Sequence, residues 1–135
     1  MICVVDSGPL YAVADRDDAD HEASLAALSA TQRTLVIPAL VVAEVSYLIG
    51  TRLGPHAESR FIAALARYEV EAPLAEEWAR ISQLVEKYGD LPLGATDASV
   101  VALAERLNTS WIATLDARHF RVVRPMHCAA FDLVP

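Results

Sequence analysis

Short apolar runs alternate with longer amphipathic stretches along the whole chain. Ile2, Cys3, Val4 and Val5 form one such run, which passes directly into Asp6 and then a Gly8-Pro9 break. A Val/Ile-rich run of this length, bounded by turn residues, predicts a strand buried on both faces. Residues 34–37, closed by Pro38, and residues 110–115, closed by Asp116, repeat the pattern. Between these runs the spacing predicts helices over residues 10–14, 21–30, 39–53, 55–66, 74–88 and 96–107. Gly54 stops the third and Pro55 opens the fourth, the usual placement of both residues. The third helix is apolar nearly all round (Leu40, Val41, Val42, Val45, Tyr47, Leu48, Ile49), which predicts burial on every side. In the fifth, Trp78, Ile81, Leu84 and Val85 fall at helical spacing and predict a buried stripe. Residues 68–72 alternate and predict an edge strand with its charges in water. Residues 89–94 read as a loop, residues 117–120 as a turn with Phe120 in the core, and residues 122–123 and 131–134 as short final strands.

Strands that alternate with helices give an α/β fold: three layers, with a mainly parallel central sheet flanked by helices. The length, 135 residues, predicts a single domain over residues 1–135 with a core that needs no staples. Right-handed crossovers set the strand ends, with Asp6 and Asp116, along one edge of the sheet, the edge where ligands bind in open α/β folds.

Composition narrows the possible functions. No apolar run approaches the roughly 20 residues of a membrane span, and the N-terminus has neither a basic region nor a cleavage site, so the expectation is a cytoplasmic protein without a membrane partner. Cys3 and Cys128 are then expected as reduced thiols. A net charge of −7 argues against nucleic-acid binding by bulk electrostatics. Arg118, Arg121 and Arg124 nevertheless gather beside His119, and carboxylates that hold a cation no longer count as free surface charge.

Four acids stand in unusual places. Asp6 and Asp116 each end a strand. Asp6 can equally be read as the cap of a helix near Pro9. Glu44 sits in the apolar third helix with no basic residue one turn away, where the alternative is a salt bridge to Arg52 or another arginine. Asp97 opens the sixth helix and can be read as a plain first-turn acid, as Asp90 can be read as a loop cap. Were Asp6, Glu44, Asp97 and Asp116 to converge, each pair ~4 Å apart would repel by about 4 kcal/mol at an effective dielectric near 20. Raised pKa values or a divalent cation must then relieve the cluster. All-oxygen ligands suit Mg²⁺ or Mn²⁺, and no zinc-like His or Cys spacing is present. Such a centre suits phosphodiester hydrolysis. No Gly-rich phosphate loop is present, which argues against an ATPase.

The segments Val5-Asp-Ser-Gly-Pro-Leu10, Pro38-Ala-Leu-Val-Val-Ala-Glu-Val45, Asp90-Leu-Pro-Leu-Gly-Ala-Thr-Asp-Ala98 and Ala113-Thr-Leu-Asp-Ala-Arg-His-Phe120 together resemble PIN-domain ribonucleases, and most of all the VapC toxins of prokaryotic toxin–antitoxin pairs. The four occur in order and at family-like spacing over nearly the whole chain. The resemblance implies an RNase H-like PIN domain and a Mg²⁺- or Mn²⁺-dependent endoribonuclease. It assigns Asp6, Glu44, Asp97 and Asp116 as catalytic and metal-binding acids, with Asp116 in the family's most variable position. It further implies an RNA substrate, a homodimer and a VapB-like antitoxin that neutralises the enzyme. Arg118 and His119 are candidates for gripping the RNA backbone, or else a surface pair that packs the final turn. The competing functional readings are an inactive PIN-like binding module and a housekeeping RNA-maturation nuclease.

Overall fold

A computed structural model describes residues 1–135. Five strands form one sheet in the order β3-β2-β1-β4-β5: β1 (Ile2–Val5), β2 (Thr34–Pro38), β3 (Glu69–Glu71), β4 (Trp111–Ala113) and β5 (Asp132–Val134). Every pairing is parallel, with Ile2 opposite Thr34 and Val4 opposite Ile112. β1 lies at the centre, and its Cys3, Val4 and Val5 are fully buried, as an all-apolar strand between two helical layers requires. Seven α-helices complete the domain: α1 (Ser7–Ala14), α2 (His21–Leu28), α3 (Ala39–Leu53), α4 (Pro55–Ala64), α5 (Glu77–Lys87), α6 (Ala95–Arg106) and α7 (Ala117–Val122).

The strand order reverses at β1. The chain builds outward from β1 to β2 and β3, then returns to set β4 on the opposite side. At such a reversal open α/β sheets form a crevice past the carboxyl ends of the adjacent strands, here β1 and β4, and bind ligands in it. Asp6 directly follows β1, and Thr114 directly follows β4.

Several expectations need correction. The helix buried almost all round is α6, whose residues from Ala98 through Ala104 are all buried, and not α3. In α3 only Val41, Val45 and Ile49 are buried, while Tyr47 is 69% exposed. A sequence rich in apolar residues on every face does not reveal which face the rest of the fold will cover. Trp78 is likewise 50% exposed: Ile81 and Leu84 form the buried face of α5, and the tryptophan lies near its open N-terminal end. In the edge strand β3, Val70 is exposed and Glu71 half-buried, because Arg106 reaches Glu71 at 3.6 Å. Residues 117–120 form the start of a helix rather than a turn, and that helix takes in Val122, so no strand forms at 122–123. The strand expected through Leu115 ends at Ala113. Phe120 is 1% exposed and packs edge-on against Phe131, as expected of a core residue.

Candidate functional site

Asp6 occupies the N-cap position of α1 but makes no capping bond with its side chain. Its Oδ2 instead accepts a hydrogen bond from the Thr114 hydroxyl at 2.8 Å, and its own N–H donates to the Ala113 carbonyl at 2.9 Å. Both bonds span the β1–β4 junction and fix the carboxyl at the mouth of the crevice. Thr114 Oγ1 also accepts the Asp116 N–H at 2.9 Å. One hydroxyl thus ties together the acids that follow the two strands. Thr114 is 4% exposed and was not singled out in the sequence; the pattern Thr-x-Asp, in which a hydroxyl accepts the N–H two residues on, is the local signal that could have found it.

Asp97 stands in the first turn of α6, where the helix dipole favours an anion. Gly94, just ahead, has φ 55°, a left-handed conformation that glycine adopts without penalty, and so turns the chain into that helix. Asp116 caps α7 and accepts the His119 N–H at 3.3 Å. The His119 ring turns inward: Nδ1 hydrogen-bonds Asp97 Oδ2 at 2.9 Å and lies 3.0 Å from Asp116 Oδ2. One donor atom from each of Asp97, Asp116 and His119 fits within a span of 4.8 Å.

Glu44 departs from its predicted setting. It is exposed, on the second turn of α3, and no arginine pairs with it. Arg52 instead stacks over the Tyr11 ring, 5.0 Å from its centroid. The Glu44 carboxylate accepts the Ser7 hydroxyl at 2.9 Å, which brings it beside Asp6.

The electrostatics reflect this crowding. The Asp6 carboxyl is pushed up to about 6, first by burial and then by the charges of Asp97 and Glu44, against the opposing pull of Ser7 and Thr114 hydrogen bonds. The Asp97 carboxyl is also raised, chiefly by burial; His119 works against the rise, and Asp116 and Glu44 add to it. Asp6, Glu44, Asp97 and Asp116 therefore act on one another electrostatically. Asp90 lies exposed in its loop. Arg118 and His119, neighbours in sequence, face different ways: Arg118 is exposed and joins no ion pair, while the side chain of His119 is 16% exposed against the acids.

The donor set fits a hard divalent cation. Carboxylate oxygens of Asp97 and Asp116 lie within 4.8 Å of each other and of a His119 nitrogen, and the carboxyls of Asp6 and Asp97 are raised, chiefly by burial and then by neighbouring acids. Asp6, Glu44, Asp97 and Asp116 could hold such an ion.

Comparison with known proteins shows the family and the fold. The family model described as PIN domain matches residues 3–125. Ribonuclease VapC26 of Mycobacterium tuberculosis is 36% identical over 134 residues, which cover 98% of this chain and 99% of that protein. The crystal structure of Mycobacterium tuberculosis VapC20, titled a sarcin-ricin loop cleaving toxin, matches with a TM-score of 0.74 at 18% identity, over 82% of this chain and 86% of its own. VapBC2 of Rickettsia felis, solved bound to a DNA fragment from its promoter, matches with a TM-score of 0.71 at 18% identity, over 100% of both chains. The two structures establish the shared fold, and the family match and the VapC26 identity extend the kinship to sequence. The chain belongs to the PIN-domain family and, within it, to the VapC ribonucleases.

Proposed function

We propose that the protein is the toxic partner of a type II toxin–antitoxin pair: a Mg²⁺- or Mn²⁺-dependent endoribonuclease that hydrolyses RNA phosphodiester bonds. The observation that carries this reading is the grouping of Asp97, Asp116 and His119 within 4.8 Å, with Glu44 bonded to Ser7 and the neighbouring Asp6 carboxyl raised to about 6, chiefly by burial. Such a cluster costs stability in a metal-free protein, and a binding module without catalysis has no use for it.

A divalent cation bound there lowers the pKa of an attacking water and offsets charge on the phosphate. The chain's own residues supply the rest. Asp6 and Asp97, at the two positions most shielded from water, would hold the cation. Asp116 and Glu44 complete the set from the rim, positioned by Thr114 and Ser7. Ser7 holds the exposed Glu44 in place, and so restrains a side chain that solvent would otherwise leave free. Arg118, exposed and unpaired one turn from the acids, supplies a guanidinium for an RNA phosphate. It compensates locally for a net charge of −7 that repels the substrate at long range.

A VapB-like antitoxin partner follows from kinship with VapC proteins, and VapBC2 of Rickettsia felis is one such pair. Self-association into a homodimer fits the apolar surface left open on the domain, including Tyr47, Ile62 and Trp78. No helix is long and apolar enough to cross a membrane.

The test is cleavage of total cellular RNA, intact ribosomal RNA included, by purified protein with Mg²⁺ or Mn²⁺, beside EDTA and an Asp97→Asn variant. Metal-dependent cutting, reduced more than about a hundredfold by the variant, is expected. Cutting that persists in EDTA, or in a folded Asp97→Asn protein, contradicts the assignment.

A further inference from the structure

The acids account for four of the side chains around the crevice mouth. The fifth, His119, is not an oxygen donor, and its placement is specific. Its main-chain N–H is held by Asp116 Oδ1, which fixes the start of α7. Phe120, the next residue, is buried at 1% exposure and anchors the same turn in the core. The ring is thereby held against the acids from behind, with Nδ1 2.9 Å from Asp97 Oδ2 and 3.0 Å from Asp116 Oδ2.

Those distances have a meaning in coordination chemistry. Two neighbouring ligands of an octahedral ion with bonds of about 2.1 Å lie about 3.0 Å apart, the bond length multiplied by the square root of two. Nδ1 therefore stands from each carboxylate oxygen at the separation of adjacent ligands on one small ion. Only the two carboxylates engage Nδ1, and a cation that takes their charge would displace the Nδ1 proton; with the proton on Nε2 instead, the ring offers Nδ1 a lone pair.

We propose that His119 Nδ1 is a direct ligand of the bound cation, beside Asp97 and Asp116, and that it biases the site toward Mn²⁺ over Mg²⁺. Nitrogen is a poor donor for Mg²⁺, which prefers carboxylate and water oxygens, and a good one for first-row transition ions. The inference rests on the metal-site reading above and adds a ligand and a selectivity to it. Asp6, at the end of β1, and Glu44, on α3, then serve either ion equally, while the edge formed by the starts of α6 and α7 discriminates.

The experiment is pulsed electron paramagnetic resonance of Mn²⁺ bound to the wild-type protein, together with calorimetric titration of Mn²⁺ and Mg²⁺ into wild type and His119→Gln. Expected are a ¹⁴N coupling of directly bound imidazole in the wild type, and a loss of about tenfold or more in Mn²⁺ affinity in the variant, with Mg²⁺ affinity changed far less. The spectrum needs no substitution, so it stands even if the variant folds poorly. Bound Mn²⁺ without ¹⁴N coupling would overturn the inference and leave the acid site intact; His119 would then be a counter-group that the metal displaces, and its removal would tighten Mn²⁺ binding. No Mn²⁺ binding at all would overturn the metal site itself.

Discussion

Thr114 and Asp6, 108 positions apart in sequence, are joined by a 2.8 Å hydrogen bond in which the threonine hydroxyl donates to the carboxylate. Both residues are buried, at 4% and 5% exposure, so the bond cannot be replaced by solvent at no cost. Thr114→Val preserves shape but leaves Asp6 Oδ2 and the Asp116 N–H without this partner. A loss of about 2 kcal/mol in urea unfolding is expected, with a lower cleavage rate, and Thr114→Ser should recover most of both. A valine variant as stable and as active as wild type would show that the hydroxyl positions nothing.

The buried carboxyl of Asp6 gives the metal-free protein a specific pH dependence. Asp6 ionises at 3.8 as an ordinary carboxyl and at about 6 in the fold. The fold thus favours its neutral form. That contribution to stability is fully present below 3.8, fades as the pH rises through 6, and is absent above it. Asp6→Asn mimics the neutral acid at every pH. In EDTA, the variant and wild type should unfold at similar urea concentrations near pH 4, and the variant should be more stable by up to about 3 kcal/mol above pH 6. Saturating Mg²⁺ should shrink the difference by stabilising wild type alone. A constant offset between the two proteins across this range would contradict the raised value.

Arg118 is exposed and unpaired, so its removal should leave the fold and the metal affinity unchanged. If it contacts one RNA phosphate, Arg118→Ala weakens binding at low salt and flattens the salt dependence. The slope of log K against log salt should fall by about 0.7, the value for one phosphate contact on a single strand. An unaltered slope would remove Arg118 from the RNA path.

Phe120 tests how far the site depends on the core beneath it. It is 1% exposed and packs against Phe131, so Phe120→Ala should cost about 3–5 kcal/mol, measured by urea unfolding. Because Phe120 anchors the turn that carries His119, Phe120→Leu should keep the fold while loosening metal binding more than a surface change such as Trp78→Ala does.

The sheet was legible in the sequence because its central strands are short and apolar, and an acid or a proline lies at or within three residues of each one's end. Asp6 and Asp116 stood out for the same reason. Glu44 was placed on the right helix for the wrong cause: the residues around it are apolar, yet the surface they form at that point is open, and what holds Glu44 is Ser7 from another element. Burial on α3 and at Trp78 was overestimated, because a periodic pattern shows that a face is apolar but not that anything covers it. His119 was read, with Arg118, either as gripping RNA or as packing the final turn; its inward turn follows from the Asp116 cap and the buried Phe120 on either side of it, a tertiary effect absent from local sequence.

The central position of β1 also orders events in time. Asp6 is among the first residues made, yet Thr114, Asp116 and His119 are among the last, and they reach it only when β4 pairs beside β1. A nascent chain that has finished β1, β2 and β3 has two of its acids in place and no means of bringing in the others. The full set of acids therefore exists only once the chain through α7 has emerged, and the strand-order reversal sets that delay.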